Sequence, residues 1–438
     1  MARSVPAQAA MIAPRQAPPA AATSTMGPEA ELPIRLGVAL LQYGSSVAGA
    51  LEAMQAMARR LGVPLTLLPG AAQIVVVLGA PGGHVRVVPV PPARMSLAQL
   101  RRLHEYAERL LQSAGTIDAQ RALDELETVC ATAPTPGRPW SALFAGLLCA
   151  AMAGIFGGGW PEVLAGGVGG LVAFLAMGAL LPAVRGSETG RFLATVLVVL
   201  VVGALPLVMG PVDLSRALLP AVFPLLPSLG IYQFTQEIAR SQYAVGSQRL
   251  VEVGTALLAI VSGVVVGASL IRLLSVIPVA APAEPLPAWG LLAAVAGLLV
   301  GFWALLGGTR QDFAWMAGSL LFGLLAHGVA GGLPGPLLGT FVAVLAVALV
   351  SCLLAPRLGL PARALMLPGI LATLPVQTAL RIMLGMISNN TLDEAPGLFE
   401  ALLVLGVVAA AVITAETVVR EQPGPRPADG LGAAHGDR

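Results

Sequence analysis

The chain has 438 residues, of which 56% are hydrophobic and only 11% charged, with a formal net charge of +2 and a mean hydropathy of +0.82. Such a composition excludes a soluble globule and describes a multispan membrane protein. All 25 basic residues are arginine, a bias from which no chemistry is drawn, and Cys130, Cys149 and Cys352 are scattered without the spacing of a disulfide framework or a zinc site. No metal and no cofactor are expected.

In chain order, residues 1–32 form an Ala/Pro-rich stretch with no long apolar core, expected to be a disordered tail rather than a signal peptide. Residues 33–138 have the mixed texture of a water-exposed α+β domain. A helix is expected from Pro33 to Leu61, with Leu36, Leu40, Val47, Leu51, Met54 and Leu61 on its apolar stripe and Gly44-Ser45-Ser46 as a weak point. Strands are expected over Leu65–Leu68, Ile74–Leu78 and His84–Val90, with Pro81-Gly82-Gly83 turning between the last two. Helices over Ser96–Gln112 and Ile117–Ala131 complete a unit of about 100 residues, long enough to bury its own core. It is not notably basic and carries no nucleotide-binding or kinase signature, so no nucleic-acid partner is expected.

Ten apolar spans follow, each near the roughly 20 residues that cross a bilayer. The first five are Ser141–Gly159, Glu162–Val184, Phe192–Gly210, Ala217–Phe234 and Leu250–Leu273. The second five are Ala288–Leu306, Phe313–Ala330, Pro334–Leu354, Ala364–Met386 and Gly397–Val418. Residues 218–233, LLPAVFPLLPSLGIYQ, and 366–381, MLPGILATLPVQTALR, read as two copies of one element: Pro220 matches Pro368 and Pro227 matches Pro375, an offset of 148 that also aligns Pro139 with Pro287 and Glu252 with Glu400. The membrane region is therefore read as two repeats, 139–275 and 287–420, followed by a disordered tail over 421–438. Five spans per repeat is an odd number, so the second copy enters the membrane from the opposite side, an inverted repeat of the kind that builds secondary transporters. Arginine placement agrees. With the soluble domain inside, Arg138, Arg185, Arg191, Arg240, Arg249, Arg310, Arg357, Arg363, Arg420 and Arg426 flank inner ends, against Arg216 and Arg272 outside, and both termini are cytoplasmic.

The candidate translocation residues are Pro220, Pro227, Ser228 and Gln233 in the first copy and Pro368, Pro375, Gln377 and Arg381 in the second. Each proline removes a backbone donor and frees a carbonyl one turn back, which could meet a substrate ammonium or a proton-bearing water; a kink packed against its neighbours is the alternative. Arg381, aligned with Gln233, is an intramembrane charge costing at least about 2.5 kcal/mol, either a fork for a substrate carboxylate or a side chain snorkelling to the interface. The proton-coupling candidates are Glu237, Glu252 and Glu400; Glu237, just past the first proline element, is also read as interfacial or as part of a gate, and the last two would also suit the first turn of a helix for dipole reasons alone. Gly157-Gly158-Gly159, Gly166-Gly167 and Gly169-Gly170 lack the Lys and Thr of a phosphate loop and are read as close helix packing. His327 is read as interfacial.

The opening helix LLQYGSSVAGALEAMQAMARRLG (40–62), the IFGGGW run (155–160) and the two proline elements together resemble the threonine/serine exporter family of bacterial inner-membrane carriers, over about residues 33–420. The resemblance implies a cytoplasmic domain before two five-span units and export of threonine and serine, with dicarboxylates such as succinate exported by related two-chain systems, driven by the proton gradient. One departure is visible: where family elements carry glycine directly after the second proline, this chain has Ser228 and Val376. Three classes compete. An exporter explains the repeats and sparse intramembrane charges; a membrane enzyme would need a catalytic constellation that is not found; a channel or receptor would use the soluble domain as its output. The expected partners are a small-molecule substrate, protons and lipid, with a homo-oligomer possible.

Overall fold

The computed structural model describes residues 27–45, 47–70, 73–79, 84–91, 96–113, 115–131, 137–179, 184, 187–239, 242–273, 284–358, 362–373 and 395–421. The turn expected over 81–83 and both tails beyond these bounds lie outside the described residues.

The amino-terminal unit is α1 (Pro28–Gln42), α2 (Val47–Arg60), β1 (Leu65–Pro69), β2 (Gln73–Leu78), β3 (His84–Pro89), α3 (Leu97–Gln112) and α4 (Ala119–Ala131). The single helix expected over 33–61 is two. Gly44 adopts φ 98° and closes α1 with a Schellman pair, Ser45 N to Leu40 O at 2.7 Å and Gly44 N to Leu41 O at 3.1 Å, which ends one helix before the next can begin. Helix α1 also begins inside the stretch expected to be tail, and Leu32 there is fully buried. The strands form one antiparallel sheet in the order β1-β2-β3, with Leu65 opposite Leu78 and Gln73 opposite Pro89. Leu67, Ile74, Val76 and Val88 face the helices in a cluster shared with Leu36, Met54, Leu100 and Leu126.

The remaining elements are helical: α5 (Arg138–Ile155), α6 (Trp160–Ala179), α7 (Glu188–Ala204), α8 (Pro206–Met209), α9 (Leu214–Ala221), α10 (Ser228–Ala239), α11 (Tyr243–Leu273), α12 (Ala288–Leu305), α13 (Arg310–Ala330), α14 (Pro336–Leu358), α15 (Ala362–Thr373) and α16 (Ala395–Glu421). Among the described residues seven helices are long and apolar enough to cross a bilayer, and two shorter apolar helices span Leu214–Leu225 and Gly406–Val419. At 31 residues α11 is about 46 Å long, well beyond the hydrocarbon thickness of about 30 Å. Its first turn is therefore free to leave the membrane region, and Val245 joins the buried cluster of the amino-terminal unit.

Small residues set the helix crossings, as expected for the glycine pairs. A Cβ at Gly170 would lie 2.3 Å from Cys149 Sγ, and one at Gly169 would lie 2.4 Å from Ala221 Cβ. Helix α5 packs antiparallel on α12: Gly301 lies against Leu148, Gly297 against Leu147 and Ala151, and Gly154 against Ala294, so rising numbers on one helix meet falling numbers on the other. Helix α6 packs on α9 and α7 on α11, while α13 packs on α15 and α14 on α16.

Two helix ends are built alike. After α5, Gly157 takes φ 83°, Gly158 N donates to Ala153 O at 2.9 Å, and Gly159 N donates to Glu162 Oε2 at 2.8 Å. After α12, Gly307 takes φ 60°, Gly308 N donates to Trp303 O at 2.9 Å, and Thr309 N donates to Asp312 Oδ2 at 2.7 Å. In both, a glycine at positive φ closes one helix and a carboxylate caps the next. The helix ends thus correspond at an offset of 150 residues, so Pro139, inside α5, and Pro287, the N-cap of α12, are not structural equivalents. At the start of α9 and α15, residues 214 and 362, the offset is 148.

Candidate functional site

The first proline element breaks its helix. Asp213 opens α9 as N-cap, accepting from Ser215 N at 3.0 Å and Arg216 N at 3.4 Å. The helix lasts only to Ala221. Pro220 has no N–H for the carbonyl of Arg216, and Phe223–Leu225 tightens into a 3₁₀ turn with Pro224 at its second position. Leu226 is extended (φ −64°, ψ 137°), as a residue before proline must be, and α10 starts directly after Pro227 at Ser228. The span expected over Ala217–Phe234 is thus two short helices around an irregular segment, the arrangement that leaves backbone carbonyls available inside a membrane protein.

Helix α10 carries the buried polar groups. Gln233 and Glu237 lie one turn apart on the same face. Gln233 is buried and Glu237 is fully so, at 0% exposure. Helix α10 packs on α11 and α16, and a Cβ at Gly246 of α11 would meet Glu237 Cβ at 3.6 Å.

The second proline element differs. Helix α15 continues through Pro368 to Thr373, with the Ser319 hydroxyl of α13 donating to Leu365 O in the turn before the proline. The backbones of α13 and α15 nearly touch, since a Cβ at Gly323 would lie 2.3 Å from Gly369 O. Pro375, Gln377 and Arg381 lie outside the described residues, as does the environment of the Ser228 and Glu400 side chains.

Both elements converge on one cluster. Phe223, beside the first break, meets Phe302 of α12 edge-on at 6.2 Å between centroids, and Leu371 and Ala372, just past Pro368, pack on the same group of Leu148, Met152, Leu298, Phe302, Met316 and Leu320.

Glu252 is a correction. Helix α11 begins at Tyr243, so Glu252 sits well past its first turn, 52% exposed among the outward-facing Leu250, Val251 and Leu258 and bonded to Arg249 at 2.8 Å. Glu252 therefore does not hold the helix-start position expected for it, and its carboxylate is paired. In the membrane region, the buried carboxylates among the described residues that the sequence reading missed are Glu162 and Asp312, 2% and 1% exposed. Their signal was present in the parallel runs GGGWPE (157–162) and GGTRQD (307–312), which emerge at an offset of 150 and not 148. In the amino-terminal unit, burial and the neighbouring Glu127 push the Cys130 thiol up from its ordinary value, which keeps it protonated and a poor nucleophile.

No curated protein and no solved structure matches the chain. The family described as "Putative threonine/serine exporter" matches residues 31–271, more than half of the chain, running from α1 to the end of α11. The second half, to which the sequence resemblance extended, lies beyond the matched residues. With a multispan helical architecture behind that match, the chain belongs to the threonine/serine exporter family.

Proposed function

We propose that the protein is a secondary transporter that exports small polar amino acids, threonine and serine first, across the bacterial plasma membrane in exchange for protons. The single observation that carries this reading is the broken α9–α10 element with Gln233 and Glu237 buried beside it, joined to the Pro368 helix through one cluster. Carbonyls freed by Pro220 and Pro368 accept the substrate ammonium, Pro227 sets where α10 restarts, and the Gln233 amide meets the substrate's polar side chain. The Glu237 carboxyl can be neutralised by a proton or by a substrate ammonium, and that exchange is what an antiport cycle requires. Ser228, Pro375, Gln377 and Arg381 are retained as path residues on sequence grounds, Arg381 as the fork for the substrate carboxylate.

Ten spans as two inverted repeats are supported by the antiparallel α5–α12 pair and the matched helix ends at 157–162 and 307–312. Cytoplasmic termini are supported by the arginine flanks. Exposed Trp140 at the start of α5, and exposed Trp160 and Trp289 at the opposite end with ring centroids 5.2 Å apart and planes tilted by 35°, are where aromatic belts belong.

The test uses purified full-length protein in liposomes loaded with radiolabelled threonine, serine or succinate under an imposed pH gradient. Wild type is expected to release threonine and serine, and Glu237→Gln to keep threonine–threonine exchange while losing about tenfold or more of gradient-driven release. Release of succinate alone, or of nothing from correctly inserted protein, ends the amino-acid reading. An undiminished gradient response in Glu237→Gln moves coupling to another group.

A further inference from the structure

We infer that helix α3 of the amino-terminal unit is a detachable latch on the second half of the membrane region, replacing a fastening that the first half carries in its own chain. The functional consequence rests on the exporter reading; the latch itself rests on hydrogen bonds.

In the first half, two acceptors at the helix end are held by the start of α9. The Gly157 carbonyl accepts from Arg216 Nη1, and Glu162 Oε1 accepts from Asp213 N at 2.8 Å. Asp213 and Arg216 are three residues apart, at the N-cap and first turn of the broken helix, so the fastening is continuous with the proline element itself.

In the second half, the same two acceptors are held by another part of the chain. The Gly307 carbonyl accepts from Ala98 N at 3.1 Å, and Asp312 Oδ1 accepts from Arg101. Leu97 N adds a bond to Leu306 O at 2.8 Å, so orphan donors at the start of α3 meet orphan acceptors at the end of α12. Ala98 and Arg101 are again three residues apart. The residues that correspond to Asp213 and Arg216 at the offset of 148 are Pro361 and Ala364. Proline has no N–H and alanine no guanidinium, so the second half cannot make either bond from the equivalent position, and α3 supplies both.

The exchange of fastening changes what can move. Asp213 and Arg216 cannot leave without moving α9. Helix α3 belongs to a unit with its own core and meets the membrane-region cluster through Leu97 and its hydrogen-bonded first turn, so it can come away as a body, the docked state having to keep an arginine only 19% exposed, whose Nε has no hydrogen-bond partner among the described residues. The clamped turn starts α13, and α13 holds the Pro368 helix through Ser319 and the Gly323–Gly369 crossing. The same unit also buries Val245 at the start of α11, one corner away from Glu237. Docking of the amino-terminal unit therefore braces both proline elements from one side, and its release, beginning with α3, opens that side to substrate.

The test replaces Ser96 and Gly307 by cysteine in the full-length protein. A Cβ at Gly307 would lie 3.5 Å from Ser96 Cβ, within the span a disulfide bridges. The bridge is expected to form on oxidation, to slow threonine efflux from liposomes by about tenfold, and to release it on reduction, while each single variant is indifferent to oxidant. A bridged protein that transports at the unbridged rate overturns the latch, and failure of the bridge to form overturns the docking. A second arm needs no transported solute: Ser96→Cys alone, buried in the docked state, is labelled with a soluble maleimide. Arg101→Ala and Asp312→Asn are expected to speed labelling about tenfold and Arg101→Lys to restore slow labelling. Unchanged labelling in the first two removes the ion pair from the latch. If wild-type liposomes release no amino acid, the exporter reading fails by itself, and bridge formation with ion-pair-dependent labelling still upholds detachable docking.

Discussion

The two halves of the membrane region share their local construction and differ in what completes it. Both close a helix on a glycine at positive φ and start the next under a carboxylate cap, because those features need only a glycine and an acid at fixed local spacing. The proline elements show the same division. Helix α9 stops after Pro220 because Pro224 follows in the next turn, whereas the corresponding residue of the second copy is Ala372, and α15 runs on to Thr373. The Ser319 hydroxyl serves a carbonyl before Pro368, and at the equivalent position of the first half Gly169 has no side chain to do so. Within the described residues, which stop at Thr373 short of Pro375, the first copy is a broken helix and the second runs on through Pro368. A repeated motif transmits a turn; it does not transmit the partners that decide how the turn is used.

The crossing helices offer the largest effect by which to break this comparison. Gly323→Ala would drive a methyl to 2.3 Å from the Gly369 carbonyl, a backbone atom that cannot rotate away, and is expected to cost about 3 kcal/mol, read as a lower thermal midpoint in detergent. Gly169→Ala meets side chains instead, Ala221 Cβ and Val202 Cγ2, so it should cost less, and Ala221→Gly should recover part of the loss. Equal losses at the two sites, with no recovery, would mean that the halves do not differ in how closely their backbones cross.

Glu162→Ala ranks next. It leaves the Gly159 and Asp213 N–H groups without their acceptor at a helix end, at about 2 kcal/mol, again read by thermal midpoint. Arg101→Ala should change stability less than this while changing Ser96→Cys labelling, because the second half's fastening can come off without unfolding. The smallest effect is expected at Glu252→Gln. Its partner Arg249 bonds a carboxylate that is half exposed, so stability should shift by no more than about 0.5 kcal/mol and proton-driven efflux should not change. A lost gradient response there would return Glu252 to the coupling path.

Much of the layout was legible in the residues because it depends on local spacing and transfer free energy. The apolar runs became α5, α6, α7 and α11–α14 within a few residues, since about 20 apolar side chains in lipid leave the backbone no alternative to a helix. The three strands lie where alternation placed them, and the run of Pro220, Pro224 and Pro227 broke its span because three missing N–H groups within eight residues leave no α-helical turn intact between them. Glu252 was misread because the start of a helix was inferred from where apolarity begins, and α11 starts a turn or more earlier in polar sequence. Glu162 and Asp312 were overlooked because a carboxylate beside a glycine run reads as a loop until the helix it caps is in place.

By itself the sequence determined the membrane class, the apolar spans that became most of the long helices, and the glycines on which helices approach closely, all consequences of side-chain chemistry acting within one turn. Only the tertiary structure decided that Phe223 and Leu371 meet in one cluster, that Glu237 is buried while Glu252 is not, and that Arg101 closes a turn 211 residues further along the chain. Those facts depend on which orphan donor finds which orphan acceptor once the helices pack, and no spacing along the chain encodes that choice.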